Sequence, residues 1–114
     1  MTLQIADLEH FGQTALLEFD RELARRTPSD EAEFERQAQR LEAKLEQLYA
    51  LAATMAQREA NLPGVVAIWA GVVGVCDQMA KALAASPHTA RRSESYDRIL
   101  DIRNLCEENR ALHA

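Results

Sequence analysis

The chain has few of the residues that interrupt helices or cross-link small secreted domains. It contains four glycines, three prolines and two cysteines among 114 residues. Two cysteines without CxxC spacing exclude a disulfide-rich scaffold and a zinc motif, so we expect Cys76 and Cys106 to be buried, unpaired thiols. The first ten residues, MTLQIADLEH, lack the basic and apolar regions of a signal peptide. Both observations predict a cytoplasmic protein.

Positive charge is also scarce, and only one apolar run is long. Lys and Arg number 13 against 18 Asp and Glu, which gives a net charge of −5. Because phosphate backbones repel an acidic chain, we expect no nucleic-acid partner. The apolar run GVVAIWAGVVGVC covers residues 64–76. As a helix it is about 20 Å long, short of the roughly 30 Å hydrocarbon core of a bilayer, so we expect no membrane span.

The residues that are abundant are strong helix formers: Ala, Leu, Glu, Gln and Arg. Three proline-containing breaks, RRTPSDE, NLPG and SPHTARRSES, separate segments of helical period. They predict helices at about 3–26, 30–60, 63–85 and 93–111. We therefore expect an all-α fold, a single-domain antiparallel four-helix bundle over 1–114 with a long second helix.

The second predicted helix carries a heptad pattern. Phe34, Leu41, Leu48 and Met55 repeat every seven residues, and Ala38, Leu45 and Ala52 repeat between them. Such a seam packs either inside its own bundle or against the same seam of a second copy. The first alternative is the simpler one, and the second makes this helix a second candidate contact surface.

The third predicted helix divides by side-chain size. Large apolar residues share one face and predict a core: Val65, Ile68, Trp69, Val72, Val75, Cys76, Met79 and Leu83. Ala67, Ala70, Gly71 and Gly74 share the opposite face, where another backbone can approach closely. Because interior glycines destabilise a helix by roughly 1 kcal/mol each relative to Ala, we expect a contact that offsets this. That contact is either another helix of the bundle or, as we prefer, a second chain.

No catalytic motif is visible in the sequence. The three histidines lack HxxxH or ExxH spacing, and no glycine-rich phosphate loop is present. We therefore expect no cofactor and a non-enzymatic interaction or structural module. It would be a homodimer, or a small subunit that binds a protein partner, through Ala67, Ala70, Gly71 and Gly74.

The alternative is a metal-dependent hydrolase. DEAEFE (residues 30–35) and ESYD (residues 94–97) resemble the acidic helical motifs of all-α, magnesium-dependent nucleotide pyrophosphohydrolases. The resemblance implies Mg²⁺ or Mn²⁺ ligands at Glu31, Glu35, Glu94 and Asp97. The two clusters lie some 60 residues apart, whereas that family separates its acidic motifs by about 20–30. Both clusters also begin predicted helices, where the helix dipole alone favours acids.

Overall fold

The computed structural model describes residues 4–24, 31–85 and 94–113, and these form four helices. They are α1 (Ile5–Ala24), α2 (Glu31–Arg58), α3 (Leu62–Ala84) and α4 (Glu94–His113). The described helix bounds lie within two residues of the predicted ones, and the predicted ends at 3, 26, 30 and 93 lie outside the described residues. The all-α class and the long second helix, of 28 residues, are confirmed as well. The breaks around Pro28 and Pro87 lie outside the described residues.

The helices pack as a flattened antiparallel bundle with α2 and α3 in the middle. Each of these two contacts both α1 and α4, and α3 against α4 is the most extensive pair. The described parts of α1 and α4 lie on opposite sides of the central pair and do not contact each other. The Cα extents are 49 × 28 × 16 Å. This arrangement makes α3 the central helix that its apolar sequence predicts.

Aromatic contacts fix the register of the antiparallel pairs. Phe19 near the end of α1 meets Phe34 near the start of α2, edge to face, with ring centroids 6.2 Å apart. Tyr49 of α2 meets Trp69 of α3 with centroids 5.4 Å apart. Such pairs add specific geometry to the burial of apolar area.

The heptad residues of α2 form the interior of this chain's own bundle. Six of them are 0–2% exposed: Phe34, Ala38, Leu41, Leu45, Leu48 and Ala52. Met55, the last member, is half-buried. The seam is therefore filled by the neighbouring helices of the same chain, and it is not free to pair with a second copy.

The connection between α2 and α3 is short and polar. Asn61 is the N-cap residue of α3 and Pro63 lies in the first turn, where a missing amide hydrogen costs no helical bond. The carboxylate of Glu59 accepts a hydrogen bond from the backbone amide of Asn61 at 3.1 Å. The break predicted at NLPG therefore separates α2 from α3, and its Asn61 and Pro63 begin α3.

A glycine of α1 allows close packing on α3. A β-carbon placed at Gly12 would lie 2.7 Å from each methyl carbon of Val75, nearer than side-chain carbons pack. Val75 itself is 4% exposed. The two helices can reach this separation because residue 12 has no side chain.

Candidate functional site

The face of α3 made of small residues is the part of the central helix that the bundle leaves uncovered. Ten residues of α3 are buried, including all the large members of its predicted core face. Ala67, Ala70 and Gly71 are half-buried, and Gly74 is exposed. The structure therefore brings the four predicted contact residues together on one accessible stripe.

Intrachain packing accounts for this stripe only in part. A β-carbon at Gly71 would lie 3.5 Å from Ile5 Cγ2 of α1, an ordinary van der Waals contact. A β-carbon at Gly74 would have no non-neighbouring atom within 4 Å. The two explanations for the small residues are contact with another helix of the same bundle and contact with a second chain. The first explanation does not account for Gly74, because no described helix lies against it.

A cleft of about 300 Å³ runs along the stripe, between α1 and α3. Ala70, Gly71 and Gly74 contribute its apolar floor. Glu9 and Gln13 of α1 form one wall, and Gln78 of α3 closes one end. The cleft thus combines a flat floor with polar groups that can orient a partner.

At the opposite edge of the stripe, an ion pair joins α3 to α4. The Arg103 guanidinium donates a hydrogen bond to the carboxylate of Asp77 across the α3–α4 contact. The hydrogen bond to Asp77, and then the negative charge of the same carboxylate, raise the pKa of Arg103, which stays charged. The exposed face of α3 is therefore bordered by polar side chains of both outer helices.

Two thiols lie on the buried side of α3. Cys76 and Cys106 are each 0% exposed and carry no disulfide, as the sequence predicted. The sequence did not reveal that each thiol is the main influence on the pKa of the other. The neighbouring Cys106 thiol, followed by burial, raises the pKa of Cys76, whereas the Cys76 thiol lowers the pKa of Cys106.

Three of the four acidic residues of the alternative hydrolase have side chains in the described part of the chain. Glu35 of α2 is half-buried, whereas Glu94 and Asp97 are exposed in the first turn of α4. The side chain of Glu31 lies outside the described part of the chain. Across 4–24, 31–85 and 94–113, no three His, Cys, Asp or Glu side chains are grouped so as to hold a metal ion.

One acidic residue is buried that the sequence analysis did not single out. Glu33 is 5% exposed near the start of α2. Its carboxylate accepts hydrogen bonds from Gln37 Nε2 at 2.8 Å and from Arg36 Nη2 at 2.6 Å. Because both oxygens are already satisfied by neighbours on the same helix, the group is held in place rather than presented to a ligand.

A second cleft, of about 290 Å³, lies between α1 and α2. Charges of both signs line it, among them Glu18, Arg21, Arg40 and Lys44. Lys44 donates a hydrogen bond to Glu18 across the cleft, and this lowers the pKa of Glu18. The mixed charges favour a solvated inter-helix groove over a site for one class of ion.

By length and composition α3 is the one helix in the described chain that could cross a membrane. In the bundle, 44% of its most apolar window is buried against the other helices. A core helix of a water-soluble protein meets the same criterion, so this feature is weak evidence for a span. The absence of a membrane partner stays a prediction.

No family model, curated protein or solved structure matches the chain.

Proposed function

We propose that the chain is a non-enzymatic interaction module that self-associates through the exposed face of α3. The observation that carries this proposal is the open space around Gly74. A glycine inside a helix costs roughly 1 kcal/mol relative to Ala, and nothing in the described part of the chain requires one there. A backbone from a second copy lying against Ala70 and Gly74 would supply the reason.

The size of the face sets what the interface must contain. Together with the exposed residues Asp77, Gln78 and Lys81, the stripe gives α3 an exposed side from residue 67 to residue 81 that is about 21 Å long, and a helix is about 10 Å wide. It therefore covers only about 200 Å², against about 800 Å² per partner in a stable complex. The partner must also contact the flanking helices, where Glu9 and Gln13 provide polar groups.

A second copy is the occupant that we favour. The face presents the small residues Ala70, Gly71 and Gly74, so the same face of another molecule can lie across it about a two-fold axis. Homodimers with such self-complementary interfaces are the commonest oligomers. The polar walls along α1 suit the rim of an interface. No observation favours the alternative hydrolase, and we do not propose it.

Light scattering after size-exclusion chromatography tests the proposal. We expect the wild type to run at about twice its mass of 12.8 kDa and to dissociate on dilution. Gly74→Gln adds bulk and a good helix former without adding an apolar surface. It is expected to weaken the dimer about 5- to 150-fold, because overpacking an interface costs about 1–3 kcal/mol.

The matched control is Ala43→Gln, at an exposed position of α2. It adds the same side chain away from α3 and should leave the dimer intact. Because the space around Gly74 is open, Gly74→Gln should fold normally, which circular dichroism and thermal unfolding can check. An unchanged dimer mass in Gly74→Gln would refute the assigned interface. A wild type that stays monomeric at every concentration would refute self-association.

A further inference from the structure

Two charged side chains at the exposed face of α3 have no partner in the part of the chain that the structure describes. Glu9 of α1 lines the cleft of about 300 Å³, beside Gly71 and Gly74. Lys81 follows Gly74 by two helical turns and therefore lies on the same side of α3. Both charged side chains are exposed, and neither takes part in a hydrogen bond or an ion pair. The face therefore presents one free carboxylate and one free ammonium group.

The lining of the cleft determines the kind of group that fits it. Glu9 is the one charged residue among the described residues that line the cleft. Gln13 and Gln78 add amide oxygens that can accept hydrogen bonds. An ammonium group carries three donors on a flexible aliphatic stem, so it matches these acceptors. The stem can lie in the open space above Gly74.

The chain supplies such a group at Lys81, but not to its own cleft. Lys81 lies roughly 10 Å along the helix axis from Gly74. The acid nearest to it on α3, Asp77, already accepts a hydrogen bond from Arg103. A second copy whose α3 crosses antiparallel, centred between Gly74 and Lys81, brings the lysine of each copy over the cleft of the other. A parallel copy would instead place the two lysines side by side, where like charges repel.

We propose that Lys81 of each copy enters the cleft of the other copy and forms an ion pair with Glu9 there, so that a two-fold dimer contains two identical pairs. This inference rests on the self-association proposed above and adds its arrangement, with antiparallel α3 helices and the lysine stem on Gly74. A two-fold axis generates both pairs at once, because every contact is repeated with the two copies exchanged. An unrelated partner would need a separate acid for Lys81 and a separate base for Glu9.

Sedimentation velocity of the full chain at low salt measures the dissociation constant of the dimer. Glu9→Lys and Lys81→Glu each replace two attractive contacts with two repulsive ones, so each should raise the dissociation constant about 10- to 100-fold. Both positions are exposed, so both variants should fold, which circular dichroism checks. Combining the two changes in one chain restores opposite charges and should recover a dissociation constant close to that of the wild type.

An equimolar mixture of the two single variants is the most direct test. One variant carries two ammonium groups at these positions and the other carries two carboxylates. A mixed dimer therefore has opposite charges in both pairs, and it should form at concentrations where neither variant dimerises alone. Glu46→Lys and Arg40→Glu make the same changes of net charge at exposed positions of α2. These controls, alone or mixed, should leave the dissociation constant unchanged.

The outcomes separate this inference from the proposed self-association. A dimeric wild type whose dissociation constant is insensitive to both charge reversals would overturn the ion pair and leave self-association standing. A mixture of the two variants that stays monomeric while the wild type dimerises would do the same. A wild type that is monomeric at every concentration would overturn both.

Discussion

Replacing Gly12 by alanine measures how tightly α1 packs on α3. The new β-carbon would lie 2.7 Å from both methyl carbons of Val75, about 1 Å inside normal carbon contact. Val75 cannot turn aside, because it is 4% exposed and a valine in a helix has one strongly preferred rotamer. Overpacking of this kind lowers the free energy of unfolding by about 1–3 kcal/mol. The higher helix propensity of alanine relative to glycine raises it by about 1 kcal/mol. We expect Gly12→Ala to lower the free energy of unfolding by about 1 kcal/mol.

The same substitution at Gly74 supplies the control, and urea unfolding supplies the assay. Gly74→Ala meets open space, so it should raise the free energy of unfolding by about 0.5–1 kcal/mol when measured on monomer. Combining Gly12→Ala with Val75→Ala should cost less than the sum of the single changes by about 1 kcal/mol, since the new methyl fills the space of the lost ones. A Gly12→Ala variant as stabilised as Gly74→Ala would refute the close contact.

Two further outcomes follow from burial and charge. Leu45→Ala should destabilise the chain by about 2–5 kcal/mol, because Leu45 is 0% exposed, whereas Leu17→Ala, at 64% exposure, should change stability by less than about 0.5 kcal/mol in the same urea titration. Lys44 holds the pKa of Glu18 below its usual 4.5, so the pair stabilises the fold above that pH and the contribution is lost as the pH falls through the lowered value. An NMR titration should show the Glu18 pKa rising in Lys44→Met, and an unchanged pKa would contradict the pairing.

The fold followed from local signals that do not depend on tertiary structure. Asn61 and Pro63 separate two long segments of helical period, and the structure starts α3 there. The heptad from Phe34 to Ala52 identified the buried side of α2, because a 3.5-residue repeat leaves only one face apolar. The large and small faces of α3 were separable by the same reasoning. Each of these features depends only on residues of a single helix and its ends.

What the sequence could not supply is which residues of different helices meet. Gly12 stands in α1 beside two residues of larger volume, and only the packed bundle shows that Val75 occupies the space above it. Cys76 and Cys106 each fit an apolar stripe, but neither stripe shows that α3 and α4 lie side by side here, as the Asp77–Arg103 pair does. Helical periodicity specifies a face but leaves the partner of that face open. Side-chain contacts between helices therefore do not follow from the sequence of either helix alone.

The helical glycines of the bundle, taken together, sharpen the argument for an interface. Gly12 has a structural reason, because a side chain there would collide with Val75, and Gly71 has a weaker one in its contact with Ile5. Gly74 has none among residues 4–24, 31–85 and 94–113, although it lies on the same helix as the best-packed core residues. If Gly74 were merely tolerated, Gly74→Ala and Gly74→Gln would both stabilise the monomer and leave the mass unchanged. If a second backbone lies there, a larger side chain at residue 74 will stabilise the helix of the monomer and weaken the dimer. The free energy of unfolding of the monomer will then rise while the dimer dissociates.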